Sequence, residues 1–296
     1  MATLPPTYKA FVYEQYGPIE EILQLKDVPM EPLEETAVRI RVHCAALNPA
    51  DYIFVEADHS FASPPSADKP HRIGFDVAGV IVEVGSQAAG KFTVSDEVYA
   101  MTVGCGALAE YVTVNADCLA LKPTTLDLVK AAAAPGVSLL GYQLLVEHAK
   151  LQKDDRILIL GGSTSVGMYA IQHAKMIGAY VITTASTKKV EFLQQIGADE
   201  VIDYTTTQWS DVIAPHSLDV IFECAGDLKA WDGDAQVALK KEGSRFFTVL
   251  PGSSAGEPKF GATHAKVVCH ESGAQLAEIA QFIDDGKIEV VVDSVF

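Results

Sequence analysis

The chain has 296 residues, 49% of them hydrophobic, which is enough apolar material for two packed domains and excludes a disordered polar polypeptide. Lys plus Arg number 22 against 39 Asp plus Glu, and the formal net charge of −17 disfavours nucleic acid and anionic membrane surfaces as partners. Five scattered cysteines, Cys44, Cys105, Cys118, Cys224 and Cys269, include no C-x-x-C pair, so neither a disulfide scaffold nor a cysteine-rich zinc site is expected.

The opening MATLPPTYKAF lacks the apolar core of a signal peptide, and no apolar run approaches the length of a membrane span; a cytoplasmic enzyme is expected. Residues 38–43 alternate apolar and polar as a half-buried strand should. Further strands are expected at 77–84, 97–100 and 110–114, with a long Pro-, Ser- and Asp-rich loop over 57–74. This pattern predicts a barrel-like β domain. From about residue 125 the rhythm changes. Helices are expected at 126–135 and 139–151, then strands at 157–160, 180–184, 201–202, 220–222 and 246–250, with helices at 166–177 and 188–196 between them. Strands alternating with helices imply βαβ units, a parallel sheet and the doubly wound layout of dinucleotide-binding domains.

The stretch "LILGGSTSVGMYAIQHAK" carries the first chemical signal. Aligned on Gly162, its turn reads G-S-T-S-V-G against the fingerprint G-x-G-x-x-G. Gly162 and Gly167 are present, and Thr164 stands where the middle glycine would let backbone approach a pyrophosphate. The amides at the helix start and the hydroxyls of Ser163, Thr164 and Ser165, with Val166 following, offer an alternative cradle. Such a turn also serves as a plain β-to-α connection. An NAD-selective site has an acid at the tip of the second strand. That strand runs into "ASTKKVEF", with no acid at its tip but with Ser186, Lys188 and Lys189, which suit a 2′-phosphate and favour NADPH over NADH.

The segments "AALNPADY", "GFDVAGVIVEVG", "AEYVTV", "GGSTSVGMYAIQHAK", "TTASTKKVEFLQQIGADEVIDY" and "GAQLAEIAQFIDDGKI" together resemble the medium-chain dehydrogenase/reductases, and within them the zinc-free, zeta-crystallin-like quinone oxidoreductases. The resemblance implies an α/β fold with a GroES-like β-barrel catalytic domain over 1–125, completed by 269–296, and a Rossmann NADPH-binding domain over 126–268, with NADPH in the cleft between them. It implies hydride transfer to quinones or other α,β-unsaturated carbonyls, and a homodimer or homotetramer. Zinc relatives carry a ligating His in a Gly-His-Glu motif; here the equivalent is Gly74-Phe75-Asp76, and Phe cannot ligate a metal, so no metal is expected. His43 and Cys44 adjoin on a strand and point to opposite faces, one packing and one facing solvent.

By the same resemblance Asn48 lines the nicotinamide pocket, and Tyr52 orients the acceptor or supplies a proton, although its register is one residue off some relatives. The alternative is an Asn-Pro turn with Tyr52 merely packing. Tyr204 resembles the family tyrosine beside the adenosine phosphate, or is a strand-end aromatic at the edge of the core. Cys224, Ala225 and Gly226 fall where backbone passes the nicotinamide ribose, with Cys224 itself a buried hydrophobe rather than a nucleophile. Leu250 falls where backbone pairs with the carboxamide. Two departures are noted: "SLLGY" replaces "GLTAY", so Leu140 stands for a polar threonine, and relatives continue beyond Phe296 with a helix and strand that close the β domain. The rival readings are an enoyl-thioester reductase, whose pantetheine phosphate would want cations this acidic chain does not advertise, and a non-catalytic NADPH-binding protein.

Overall fold

Antiparallel pairing organises one half of the chain and parallel pairing the other. A computed structural model describes residues 4–58, 63–104, 106–249 and 256–296. The chain divides into two compact units, Met1–Gly136 with Glu271–Gly286 and Val290–Phe296, and Val137–His270 with Lys287–Glu289.

The first unit runs β1 (Thr7–Tyr13), α1 (Ile19–Ile22), β2 (Gln24–Pro29), β3 (Ala37–Ala46), α2 (Pro49–Glu56), β4 (His71–Arg72), β5 (Asp76–Val84), β6 (Glu97–Met101), β7 (Tyr111–Asn115), β8 (Leu119–Leu121) and α3 (Leu128–Ala132). Its two antiparallel sheets have the orders β2-β1-β4 and β7-β3-β5-β6-β8. Val38, Ile40, Val77, Ile81 and Val98 are fully buried and form the core of the larger sheet. The β3–β5 register shifts at Arg39/Ile40 and again at Val42/Cys44. A bulge turns side chains out of strict alternation. Arg39, expected on the solvent face, is consequently only 3% exposed. Its guanidinium lies 3.1 Å from the Glu83 carboxylate and donates to the Glu31 carbonyl at 2.6 Å. His43 is exposed and Cys44 half-buried.

The second unit contains α4 (Pro135–Gln143, whose first two residues belong to the first unit), β9 (Arg156–Leu160), α5 (Ser165–Ile177), β10 (Tyr180–Ala185), α6 (Val190–Gln195), β11 (Glu200–Asp203), α7 (Trp209–Val212), β12 (Val220–Glu223), α8 (Gln236–Ala238), β13 (Arg245–Thr248) and β14 (Thr263–Lys266). All its strand pairs are parallel, in the order β11-β10-β9-β12-β13-β14. The strands are apolar on both faces because helices cover both. Ile157 and Ile159 of β9 pack with Ala170, Ile171 and Ala174 of α5; Leu158 and Leu160 pack with Trp209, Trp231 and Leu239 on the other side. Helix α5 begins where the Thr164 hydroxyl accepts from the Gly167 amide and ends at Gly178, whose φ of 94° is left-handed.

Returning to the first unit, α9 (Gly273–Asp284) starts with the Ser272 hydroxyl accepting from the Gln275 amide and lies on β8. The buried Tyr99 hydroxyl donates to the Leu276 carbonyl at 2.6 Å. The Asp284 carboxylate accepts from the amides and hydroxyls of Thr124 and Thr125 at 2.8–3.0 Å, tying the end of α9 to the loop before α3.

Candidate functional site

The strand order of the second unit's sheet reverses between β9 and β12, its central pair. In open parallel sheets the crevice for a ligand opens outside the carboxyl ends at this switch point. Two loops flank it: one follows β9 through Gly161 to Ser165, and the other follows β12 through Cys224 to Asp227. They are joined by a 3.4 Å contact between the Thr164 hydroxyl and the Cys224 thiol.

The first loop is shaped by close packing. Gly161 takes a left-handed φ of 94°. A methyl on Gly162 would stand 2.1 Å from the Thr183 hydroxyl oxygen, so only glycine lets this turn lie against β10. The Thr164 hydroxyl donates to the Gly161 carbonyl at 2.8 Å and accepts from the Gly167 amide at 3.0 Å. It is therefore committed to the cap. The amides of Ser165 and Val166 have no acceptor among the described residues. They open a helix of 13 residues, Ser165 is exposed and Ser163 half-buried. Free amides at the positive end of a helix dipole fit a phosphate.

The second loop is organised by a carboxylate that sequence reasoning passed over. Glu223 is fully buried and accepts from the amides of Ala225, Gly226 and Asp227 at 2.8, 3.0 and 3.1 Å, and from the Thr248 hydroxyl at 3.3 Å. Burial raises its carboxyl in spite of these donors. With their amides engaged, Ala225 and Gly226 offer a ligand only carbonyl oxygens. The Cys224 thiol points inward to the Leu160 carbonyl at 3.1 Å, and burial pushes it up to about 12, so it stays protonated. Leu250 lies outside the described residues.

At the next tip, Ser186 precedes the 3₁₀ turn Thr187–Lys189 and its carbonyl accepts from the Lys189 amide at 2.9 Å. Lys188 and Lys189 are exposed, with no carboxylate in ion-pair range among the described residues. Tyr204 is brought beside them, its amide donating to the Ala185 carbonyl at 3.0 Å, and its side chain is 62% exposed. The expectation that no acid stands at this tip holds for β10 alone. Parallel pairing sets Ala185 against Asp203. The Asp203 carboxylate accepts from the hydroxyls of Thr187 and Thr205, which hold it below the usual range.

The first unit assembles a separate cluster. Asn48 and Tyr52 do not sit in a plain turn: Asn48 is the N-cap of α2, with Pro49 at its first position and Asp51 at its third. That Asn-Pro-x-Asp pattern is a helix-start signal legible in the sequence. Tyr52, on the first turns of α2, is 46% exposed. Asp51 is 5% exposed, and its carboxylate accepts from the amides of Asn48 at 2.7 Å and Gly74 at 3.1 Å. Burial still pushes it up to about 6. Asp76, 1% exposed, accepts from Asn48 Nδ2 at 2.9 Å and from the Gly136 amide at 2.7 Å; burial pushes it up to about 7, with the Asp51 charge adding to the rise.

The alcohol dehydrogenase GroES-like domain family matches residues 34–124, and the zinc-binding dehydrogenase family matches 196–296. The chain is 33% identical to a 2-methylene-furan-3-one reductase of Solanum lycopersicum, over 98% of this chain and 73% of that one. The chain belongs to the medium-chain dehydrogenase/reductase superfamily, in its zinc-free quinone oxidoreductase branch. A similar likeness, 33% over 99% of this chain and 73% of the other, links it to an NADPH-dependent alkenal/one oxidoreductase, chloroplastic, of Arabidopsis thaliana. Among solved structures, the quinone oxidoreductase from Coxiella burnetii superposes with a TM-score of 0.83 at 25% identity, covering 97% of this chain and 90% of that one. The antiparallel sheets of the first unit are thus those of a GroES-like domain, and the parallel sheet is the Rossmann sheet. One matching family is described as zinc-binding, but the donors here do not suit that metal. Phe75 has no donor atom, the carboxylates of Asp51 and Asp76 are saturated by amides, and no group of three or more His, Cys, Asp or Glu side chains is disposed to hold an ion among the described residues. Among those residues no helix is long and apolar enough to cross a membrane.

Proposed function

We propose that the chain is an NADPH-dependent, zinc-independent reductase of quinones and other α,β-unsaturated carbonyls. The observation that carries the reading is the switch-point turn, with two helix-start amides that have no acceptor among the described residues, beside a strand tip where Lys188 and Lys189 have no carboxylate in ion-pair range among those residues, in a chain one-third identical to a reductase named for NADPH and alkenals or enones. Ser163, Ser165 and Val166 would hold the pyrophosphate with backbone and hydroxyl donors, while Thr164 holds the turn itself. Ser186 and Lys189 would bind the 2′-phosphate, with Tyr204 against the adenosine end. The carbonyls of Cys224, Ala225 and Gly226 would meet the nicotinamide half. NADPH supplies the hydride when bound. Asn48 and Tyr52 of the GroES-like unit would line the reacting end, where the half-exposed Tyr52 phenol is a proton donor or a hydrogen-bond donor to the acceptor oxygen. Quinones and enones delocalise the charge that hydride transfer creates, so position and one donor suffice without a Lewis acid.

Among the described residues four cysteines are in no disulfide, which suits a reducing compartment such as the cytoplasm. The outer edge of β14 would be covered in a homodimer or homotetramer. The test is anaerobic NADPH oxidation with benzoquinone, a polycyclic ortho-quinone, a short enone and an enoyl-CoA, with NADH in parallel and with and without chelator. Chelator-insensitive oxidation of NADPH by quinones or the enone is expected. Turnover confined to the enoyl-CoA would favour the thioester reductase, and NADPH binding without any turnover would overturn the catalytic reading.

A further inference from the structure

Asp76 is a buried carboxylate without a cation. It is 1% exposed, and no Lys, Arg or His is in ion-pair range of it among the described residues. Such a group is unfavourable unless donors saturate it. Here the donors come one to each oxygen: the Gly136 amide to Oδ1 at 2.7 Å and Asn48 Nδ2 to Oδ2 at 2.9 Å. Asparagine in its place could not serve both, because its own NH₂ would face one of those N–H groups.

The consequence falls on Asn48. A carboxamide has two N–H donors and one acceptor oxygen. The second Nδ2 hydrogen is directed to the Ala46 carbonyl at 3.5 Å. On the other side of the Asn48 side chain lies the start of α2, where the Asp51 amide donates to the Asn48 backbone carbonyl at 3.0 Å and not to the side chain. The two acceptors agree on one orientation: Nδ2 toward Asp76 and Ala46, which leaves Oδ1 on the opposite side. The flipped amide would set its oxygen against the Asp76 carboxylate and the Ala46 carbonyl, acceptor to acceptor.

We propose that Asp76 is a positioning residue that commits Asn48 to accepting, never donating, a hydrogen bond at the reacting end of the site. The proposal rests on the reading that Asn48 lines the cofactor site. Both amide hydrogens are engaged, so the half-buried Asn48 has only a lone pair of Oδ1 left for a ligand. It selects an N–H or O–H group. A carboxamide or a sugar hydroxyl of the nicotinamide nucleotide qualifies, whereas the carbonyl oxygen of a quinone or enone does not. The negative charge arriving on the acceptor oxygen must then be met by another donor, and Tyr52, four residues along the same helix and 46% exposed, carries a hydroxyl that can meet it.

The test begins without cofactor. In ¹⁵N-labelled protein the Asn48 side-chain amide signals are assigned by their loss in Asn48→Ser. Both protons are expected to exchange with water at least about tenfold more slowly than a free carboxamide, since both are hydrogen-bonded. Exchange at the free rate overturns the proposal in the unsubstituted protein. Asp76→Asn is then expected to move the Asn48 signals and weaken NADPH binding, measured by calorimetry, by about tenfold, with quinone KM changing less than about twofold. Should Asp76→Asn not fold, Gly136→Ala keeps the charge but sets a methyl 2.9 Å from Asp76 Oδ1, and the same two readouts apply. Unmoved signals and unmoved NADPH affinity in a folded variant overturn the proposal. Protected Asn48 protons in a protein that binds no NADPH would instead sink the functional reading and leave the orientation standing.

Discussion

Replacing Asp51 by Asn should convert a pH-dependent stability difference into a diagnostic of the buried acid pair. Burial raises the Asp51 carboxyl to about 6, against the backbone donors of Asn48, Gly74 and Phe75 that pull it down. An acid whose folded pKa lies above its unfolded value of about 3.9 binds its proton more tightly when native. Its contribution to stability is therefore greatest below about pH 4, declines as pH rises to about 6, and is constant above that. A rise of about two units corresponds to about 3 kcal/mol. Asp51→Asn removes that slope but leaves one of the amides of Asn48 or Gly74 facing an NH₂ group, which costs about 1–3 kcal/mol at every pH. Near pH 4 the variant should thus be less stable than the parent by about that amount, and by pH 8 the gap should close or reverse. Loss of the Asp51 charge also eases Asp76 and acts in the same direction. Tryptophan fluorescence is blind to this unit, since Trp209 and Trp231, the chain's two tryptophans, both lie in the other one. Hydrogen exchange of the β3–β5 amides through a urea series reads it directly. A stability difference that stays constant from pH 4 to pH 8 would refute the reasoning.

Lys189→Glu should weaken NADPH binding by about 10–100-fold and NADH binding by less than about threefold, because only the former loses a charge-assisted contact; unchanged NADPH affinity in titration calorimetry would remove Lys189 from the site. Gly162→Ala sets a methyl 2.1 Å from the Thr183 hydroxyl oxygen and should destabilise the Rossmann unit by about 1–3 kcal/mol, read by tryptophan fluorescence in urea, with partial recovery in the double variant with Thr183→Ala. Asp284 is raised by partial burial, but the amides and hydroxyls of Thr124 and Thr125 outweigh this and bring it to about 2. Its contribution is present above about pH 4 and lost as pH falls toward 2. Asp284→Ala should therefore cost about 1 kcal/mol at pH 7, after discounting for solvent, and almost nothing near pH 2. Hydrogen exchange of α9 checks it.

The parallel half was legible because its signals are local. Apolar runs such as Arg156–Leu160, followed by a glycine turn and a helix with its own caps, need no distant partner to be recognised. Strands β1 and β2 were missed since Thr7–Tyr13 and Gln24–Pro29 are held by pairing with each other, and β14 since Thr263–Lys266 is an edge strand with little apolar content. Helix α2 is not among the expected elements, where Asn-Pro stands only as an alternative turn, although Pro at the first helical position with Asp three residues after the cap is a start signal. The roles of Glu223, Asp76 and Asp203 were illegible for a different reason. Each acts on groups that are remote in sequence or supplied by backbone amides, and the side chain alone does not say whether its partner is a ligand or the fold.

That last distinction explains the most conspicuous departure of the phosphate turn, Thr164 where the fingerprint has glycine. The middle glycine of G-x-G-x-x-G lets a pyrophosphate meet bare backbone. Here the Thr164 hydroxyl instead closes the turn on itself, donating to the Gly161 carbonyl and accepting from the Gly167 amide. The loop after β12 is closed in the same way, by Glu223 filling the nest formed by three successive amides. With Thr164 and Glu223 each committed to its own loop, the donors left uncommitted at the switch point among the described residues include the amides of Ser165 and Val166, which sit at the positive end of the helix dipole. A phosphate bound there would be recognised by direction rather than by number of contacts, and the choice between cofactors would shift outward to the strand tip, where Lys188 and Lys189 have no carboxylate in ion-pair range among the described residues and the Asp203 carboxylate is turned into hydrogen bonds with Thr187 and Thr205.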